Sequence, residues 1–161
     1  MRVEDTGERV RSRRKVNYTR RSGWTSVRQS KVMAFCGLVD DDNLIHYELE
    51  AAQTVSPLAS GVVVPGALLL GMFGAEVNRE FGGKTYVAGF SNVLLSRAVF
   101  VGDRFRFCLT EPVRHPIVEK MGKNEFYDLQ DLQFGLEIMV RVEEEEIILA
   151  GTGRAFVALE K

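Results

Sequence analysis

The chain holds two histidines, His46 and His115. The first stands five residues after an aspartate in Asp41-Asp42-Asn43-Leu44-Ile45-His46, directly behind two aliphatic residues. A single loop can bring an acid and an imidazole at that spacing to one point. A carboxylate and an imidazole flanking one water can orient it, take its proton, and return a proton to a neighbouring atom. Imidazole suits a step that must run both ways near neutral pH. The plainer reading is a polar turn, because Asp and Asn favour turns and Ile45 would anchor one. Asn43 is expected to be structural, its side chain bonding to nearby backbone. Asp40 and Asp42 are expected in solvent.

The residues beyond the loop decide between these readings. Twenty residues after His46 comes Gly66, preceded by Pro65, which opens the segment 66–81, GALLLGMFGAEVNREF. It is apolar almost all round for ten residues and turns polar at Glu76. A helix apolar on every face is one surrounded by protein. Its first turn would carry unpaired N–H groups and a partial positive charge. Gly66 would let a carbonyl oxygen come close to them. Losing one such donor typically costs about 3–4 kcal/mol of transition-state stabilisation. Leu69, Met72 and Phe73 are expected in the core or lining a pocket.

The remaining elements must hold the loop and this helix. Residues 1–22 read as a basic arm with a strand near 15–18. Residues 27–38 read as a short amphipathic helix, capped by Thr25 or Ser26 and ended at Gly37. A second short helix is expected over 48–54, and Trp24 is expected near the first. The second half supplies strands: residues 85–100, then 103–110 with period-two alternation after a Gly102-Asp103 turn, then two more joined at the acidic tip 143–146. In the last strand Leu149, Gly151, Gly153, Ala155 and Val157 are expected on one face, small enough for a helix to approach. Residues 112–125 are hard to assign, and His115 there is expected to be exposed and inert. Segregated helices and strands imply an α+β fold.

Bulk properties bound the rest. With 161 residues, 45% hydrophobic and 27% charged, the chain suits one globular domain spanning 1–161. Cys36 and Cys108 stand in apolar contexts without metal-ligand spacing, so buried free thiols are expected, with no metal and no cofactor. The N-terminus carries charge where a signal peptide would need an apolar core, so no export signal is expected. The longest apolar run, 61–75, is interrupted by Pro65 and falls short of the roughly 18–20 residues of a membrane span. A cytoplasmic protein without membrane contact is expected. The net charge of −1 hides an asymmetry: residues 1–31 carry ten Lys/Arg against three Asp/Glu. Such an arm can pair with the acidic body or meet the phosphates of a ligand. It lacks the aromatic interleaving of a nucleic-acid binder, so no nucleic acid is expected.

Together these residues resemble the MaoC-like dehydratases and (R)-specific enoyl-CoA hydratases. Asp41, Asn43 and His46 match the family's Gly-Asp-x-Asn-Pro-hydrophobic-His motif, and Pro65-Gly66 stands where it has His-Gly. AVFVGD at 98–103 matches its strand-end signature, and EEEIILAGTGRAFV its last hairpin. Leu44 and Pro65 depart from the motif. The resemblance covers about residues 25–159 and implies a hot-dog fold, a curved antiparallel sheet wrapped around one long central helix. It further implies hydration of a 2-enoyl thioester, carried on CoA or on acyl-carrier protein, giving the (R)-3-hydroxyacyl product. Asp41 and His46 would be catalytic, Gly66 would bind the thioester oxygen, and a homodimer or higher even oligomer would form. Two rivals share the fold: an acyl-CoA thioesterase using Glu76, and a non-catalytic acyl-CoA-binding module. The acyl-carrier-protein dehydratase pattern is absent, since the loop before Pro65 holds no histidine and position 71 is glycine.

Overall fold

The computed structural model describes residues 16–114, 127–141 and 146–160. Its elements run β1 (Arg20–Arg21), α1 (Gln29–Val39), a 3-10 turn (Leu44–His46), α2 (Leu49–Val55), α3 (Gly66–Phe81), β2 (Tyr86–Leu95), β3 (Arg104–Leu109), β4 (Val113–Arg114), β5 (Tyr127–Arg141) and β6 (Glu146–Glu160). The strands form one antiparallel sheet in the order β1-β3-β5-β6-β2, with β4 on the side of β5. The α+β expectation holds.

The core lies between α3 and one face of this sheet. Leu68, Leu69, Phe73 and Val77 form the buried stripe of α3 at helical spacing. They meet Phe105 and Phe107 of β3, Leu132, Phe134 and Leu136 of β5, and Ala155 and Val157 of β6. Phe73 is the hub, with ring centroids 4.4 Å from Phe134, 5.6 Å from Phe107 and 5.9 Å from Phe90. Truncating so buried a ring to alanine typically costs about 3–5 kcal/mol. Val32 and Cys36 of α1 extend the same cluster.

Several local expectations are corrected. α1 has no side-chain cap at Thr25 or Ser26; its N-cap is Arg28. Thr25 is taken up instead in a bridge to Phe105. The helix also runs past Gly37 to Val39, and Asp40 ends it in the left-handed region (φ 53°). The edge strand lies at Arg20–Arg21, just beyond the expected 15–18, and pairs with β3. The described end of the basic arm is therefore part of the sheet. Arg20 bonds Glu80 (2.7 Å) and Glu111 (3.0 Å) of the acidic body. Trp24 lies under the guanidinium of Arg106 of β3 (4.4 Å), a contact that leaves its expected place near α1 uncontradicted.

Leu149 leaves the expected face of the last strand. Glu137 pairs with Leu149 but Leu136 pairs with Gly151, so Ala150 is an extra residue in β6. One inserted residue reverses the side-chain alternation. Gly153 keeps the core face, and what comes close there is a side chain rather than a helix. A Cβ at Gly153 would stand 2.6 Å from the Phe134 ring, the ring that stacks on Phe73.

α3 is not enclosed on all sides. Ala67, Gly71 and Ala75 are exposed and line a groove of about 530 Å³ with Leu70, Val87 and Phe90. Cys36 and Cys108 are free and buried. Burial, aided by the nearby Glu137 carboxylate, pushes the Cys108 thiol up to about 12. His115 and the acidic tip at 143–145 lie outside the described residues.

Candidate active site

Three short backbone segments lie side by side and carry the candidate residues. The middle one is 62–64, the lead-in to α3. On one side, Val64 N–H donates to the Val99 carbonyl (2.8 Å) and Val101 N–H to the Val62 carbonyl (2.9 Å). On the other, Val63 N–H donates to the Ile45 carbonyl (2.8 Å). A Cβ at Gly61 would stand 2.5 Å from the Val101 carbonyl oxygen, so only glycine permits this crossing.

The strand-end signature holds the outer segment. Gly102 has a positive φ of 96°. Asp103 N–H donates to the Phe100 carbonyl (3.0 Å), and Phe100 N–H donates to Asp103 Oδ2 (2.8 Å). Burial raises the Asp103 carboxyl above its ordinary value, against the pull of that N–H. Asp103 thus serves the turn, and the turn fixes the 62–64 segment.

The Asp41–His46 loop is closed by its own side chains. Asn43 N–H donates to Asp41 Oδ1 (3.1 Å). Asn43 Oδ1 accepts from Ile45 N–H (3.4 Å) and so caps the 3-10 turn. Leu44, occupying the motif proline position, is exposed, whereas Ile45 packs beside Ala52, Ala59 and Val63. Asp40 and Asp42 are exposed.

His46 is buried, 7% exposed. Its Nδ1 lies 2.7 Å from the Val63 carbonyl oxygen. A carbonyl only accepts, so Nδ1 carries the hydrogen, and in the neutral form of the ring Nε2 is then bare. That Nε2 lies 3.6 Å from Asp41 Oδ2, too far for a hydrogen bond between them. It is also too close for a water on the line joining them. A water off that line, about 2.8 Å from each, can donate one hydrogen to each acceptor. Its lone pair then points away from both. The Asp41 side chain is 33% exposed against 9% for His46, so water reaches the pair from the carboxylate side.

Gly66 is the first residue of α3, and no side chain caps that end. The first helical backbone bond runs from Leu69 N–H to the Pro65 carbonyl (3.2 Å). The preceding N–H groups face outward with the positive end of the helix dipole. Gly66 is three residues past Val63, within roughly 10 Å of chain. Its missing Cβ also makes room for Leu95, whose Cδ1 would be 2.9 Å away. Glu76 is ten residues further on, about 15 Å along the helix, and its carboxylate pairs with Arg79 (2.6 Å).

Sequence reasoning missed three contributors: the Val63 carbonyl, Leu95, and Tyr47, whose phenol donates to the Asp41 carbonyl (2.7 Å). Val63 and Leu95 act through backbone or bulk that many residues would supply, so they leave no sequence signal. Tyr47 adjoins His46, and that adjacency was its only signal. Among the described residues, no group of three or more His, Cys, Asp or Glu converges as a metal site.

No protein-family model matches the chain, and no curated protein matches it in sequence. Solved structures do match in shape. One is an (R)-hydratase from A. caviae involved in PHA biosynthesis: 21% identity, TM-score 0.63, covering 91% of this chain and 99% of that one. A second is a MaoC-like dehydratase from Rhodospirillum rubrum: 15% identity, TM-score 0.61, covering 88% and 89%. A third is a 3R-hydroxyacyl-ACP dehydratase complex from Mycobacterium tuberculosis: 13% identity, TM-score 0.52, covering 84% and 90%. At these identities the likeness is one of fold, and the chain has the hot-dog fold of these (R)-hydratases and dehydratases.

Proposed function

We propose that the chain is a hydro-lyase, an (R)-specific hydratase/dehydratase that adds water across the double bond of a 2-enoyl-CoA thioester. The observation that carries this reading is the Asp41 carboxylate set 3.6 Å from the bare Nε2 of a buried His46, on a loop tied to the lead-in of α3. A water held by both acceptors attacks C3. One O–H bond breaks as the C3–O bond forms, its proton passing to the acid–imidazole pair. The π electrons move toward C2 and the thioester oxygen, and the pair returns a proton to C2. Negative charge on the thioester oxygen is met by the N–H groups at Gly66. Asn43 keeps the loop closed, and no cofactor takes part.

The groove along Ala67, Leu70, Gly71 and Phe90 starts beside Gly66 and suits an acyl chain. The same chemistry serves a thioester on CoA or on a carrier protein. Glu76 is ill-placed for a thioesterase, since its paired carboxylate stands well down α3 from the Gly66 end. Strand β2 is the last strand of the sheet and exposes Tyr86, Phe90 and Leu94. An apolar edge strand is a template for another strand, and a second copy of the chain fits it as a homodimer. Among the described residues no helix is long and apolar enough to cross a membrane.

The test is incubation with crotonyl-CoA, following loss of enoyl absorbance with free thiol measured in parallel. Absorbance loss without thiol supports hydration; thiol release indicates a thioesterase; binding without either indicates a non-catalytic module. Gly66→Val is expected to lower kcat/KM at least about 100-fold by displacing the thioester oxygen. Because the new side chain also meets Leu95, the control is Leu95→Ala with Gly66→Val. Recovery of activity in that double variant would mean that crowding against Leu95 was the whole effect.

A further inference from the structure

The Asp41 main chain is held at both ends. Its N–H donates to the Cys36 carbonyl across the end of α1 (3.0 Å). Its carbonyl accepts from the Tyr47 phenol (2.7 Å). Immediately before it stands Asp40 in the left-handed region, φ 53° and ψ 39°. A non-glycine residue rarely rests there unless its surroundings hold it. The Asp41 carboxylate has one oxygen committed to Asn43 N–H, which leaves Oδ2 facing His46. The direction of Oδ2 therefore depends on where the Asp41 backbone sits, and the Tyr47 phenol is the side chain that fixes it.

We propose that Tyr47 is a positioning residue that sets the gap between Asp41 and His46. It comes directly after His46, so one turn of chain carries both the imidazole and the brace on its partner acid. Tyr47 N–H also donates to the Leu44 carbonyl (2.9 Å), which ties its own backbone to the loop. Its ring packs against the core cluster that includes Val32 and Cys36 of α1. Burial raises the phenol's pKa above its ordinary value, which keeps it protonated and thus a donor. The phenol touches no reacting atom. It acts through Asp41, because a displacement of about 1 Å in a reacting group can cost 100-fold in rate.

The proposal rests on the hydration reading of the site for its kinetic arm but not for its structural one. Tyr47→Phe keeps the ring and removes only the hydroxyl. It is expected to lower kcat for crotonyl-CoA at least about 10-fold with KM changed less than about 2-fold. In an Asp41→Asn background the same change should cost nothing further, since the acid it positions is gone. Hydrogen exchange of the Asn43 and Ile45 amides should quicken in Tyr47→Phe while that of α3 stays as in the wild type. Wild-type kcat, an equal loss in both backgrounds, or unaltered exchange at Asn43 and Ile45 would overturn the proposal. If the wild-type protein hydrates nothing, the reaction is refuted, and the exchange result alone then decides whether Tyr47 holds the Asp41 loop.

Discussion

Asp41→Asn is expected to lower kcat for crotonyl-CoA hydration about 1,000-fold, within the 100- to 10,000-fold range of a lost general acid–base group. The substitution keeps size and shape but removes the charge. The amide cannot take the water's proton, and half of its polar atoms donate, so the water no longer meets two acceptors. KM should hold within a few fold, because in the proposed binding mode the thioester is gripped at the other end, by the N–H groups at Gly66. Stability should hold within about 0.5 kcal/mol, as for surface changes away from special features. The Asp41 side chain is one-third exposed, and an amide oxygen can still accept from Asn43 N–H. Steady-state kinetics with a thermal melt on the same preparation checks both halves.

His46→Ala is expected to give a comparable fall in kcat with a different signature. Here stability should also drop, by about 1–3 kcal/mol. The Val63 carbonyl is buried, with Val63 8% exposed, and it would lose its donor at 2.7 Å; a buried acceptor left unpaired costs that much. The same contact fixes the ring tautomer, so the proposed catalysis and the local structure would share one hydrogen bond. Combining His46→Ala with Asp41→Asn should lower the rate little beyond either alone, because one water needs both acceptors. Full additivity in the double variant would mean that the two residues act on separate steps.

The parts legible in the sequence were those set by long, uniform patterns. α3 was readable end to end, because its sixteen residues from Gly66 to Phe81 run apolar almost all round after a Pro-Gly start and turn polar only at Glu76. Strand β3 was readable from its alternation, and the Gly102 turn from a residue type that tolerates positive φ. What failed depended on tertiary pairing. Thr25 is a good cap by type, yet its backbone is taken by Phe105, so the helix starts later and uncapped. The expected face of Leu149 failed through one extra residue at Ala150, which no local preference announces. The exposed Ala67–Gly71–Ala75 face of α3 was hidden because small apolar residues read alike whether covered or open. At the candidate site, the acid, the imidazole and the helix start were visible as residue types, and their order matched a known pattern. The bonds that aim them, from Val63 and Tyr47, were not, since a carbonyl belongs to every residue and a phenol can bond almost anywhere.

A crystal structure with 3-hydroxybutyryl-CoA bound tests the central claim most directly. The account predicts the 3-hydroxyl oxygen within hydrogen-bonding distance of both Asp41 and His46 Nε2, with the thioester oxygen at the N–H groups of Gly66. A complex with the 3-hydroxyl turned away from that pair, or the thioester bound away from the start of α3, would contradict it.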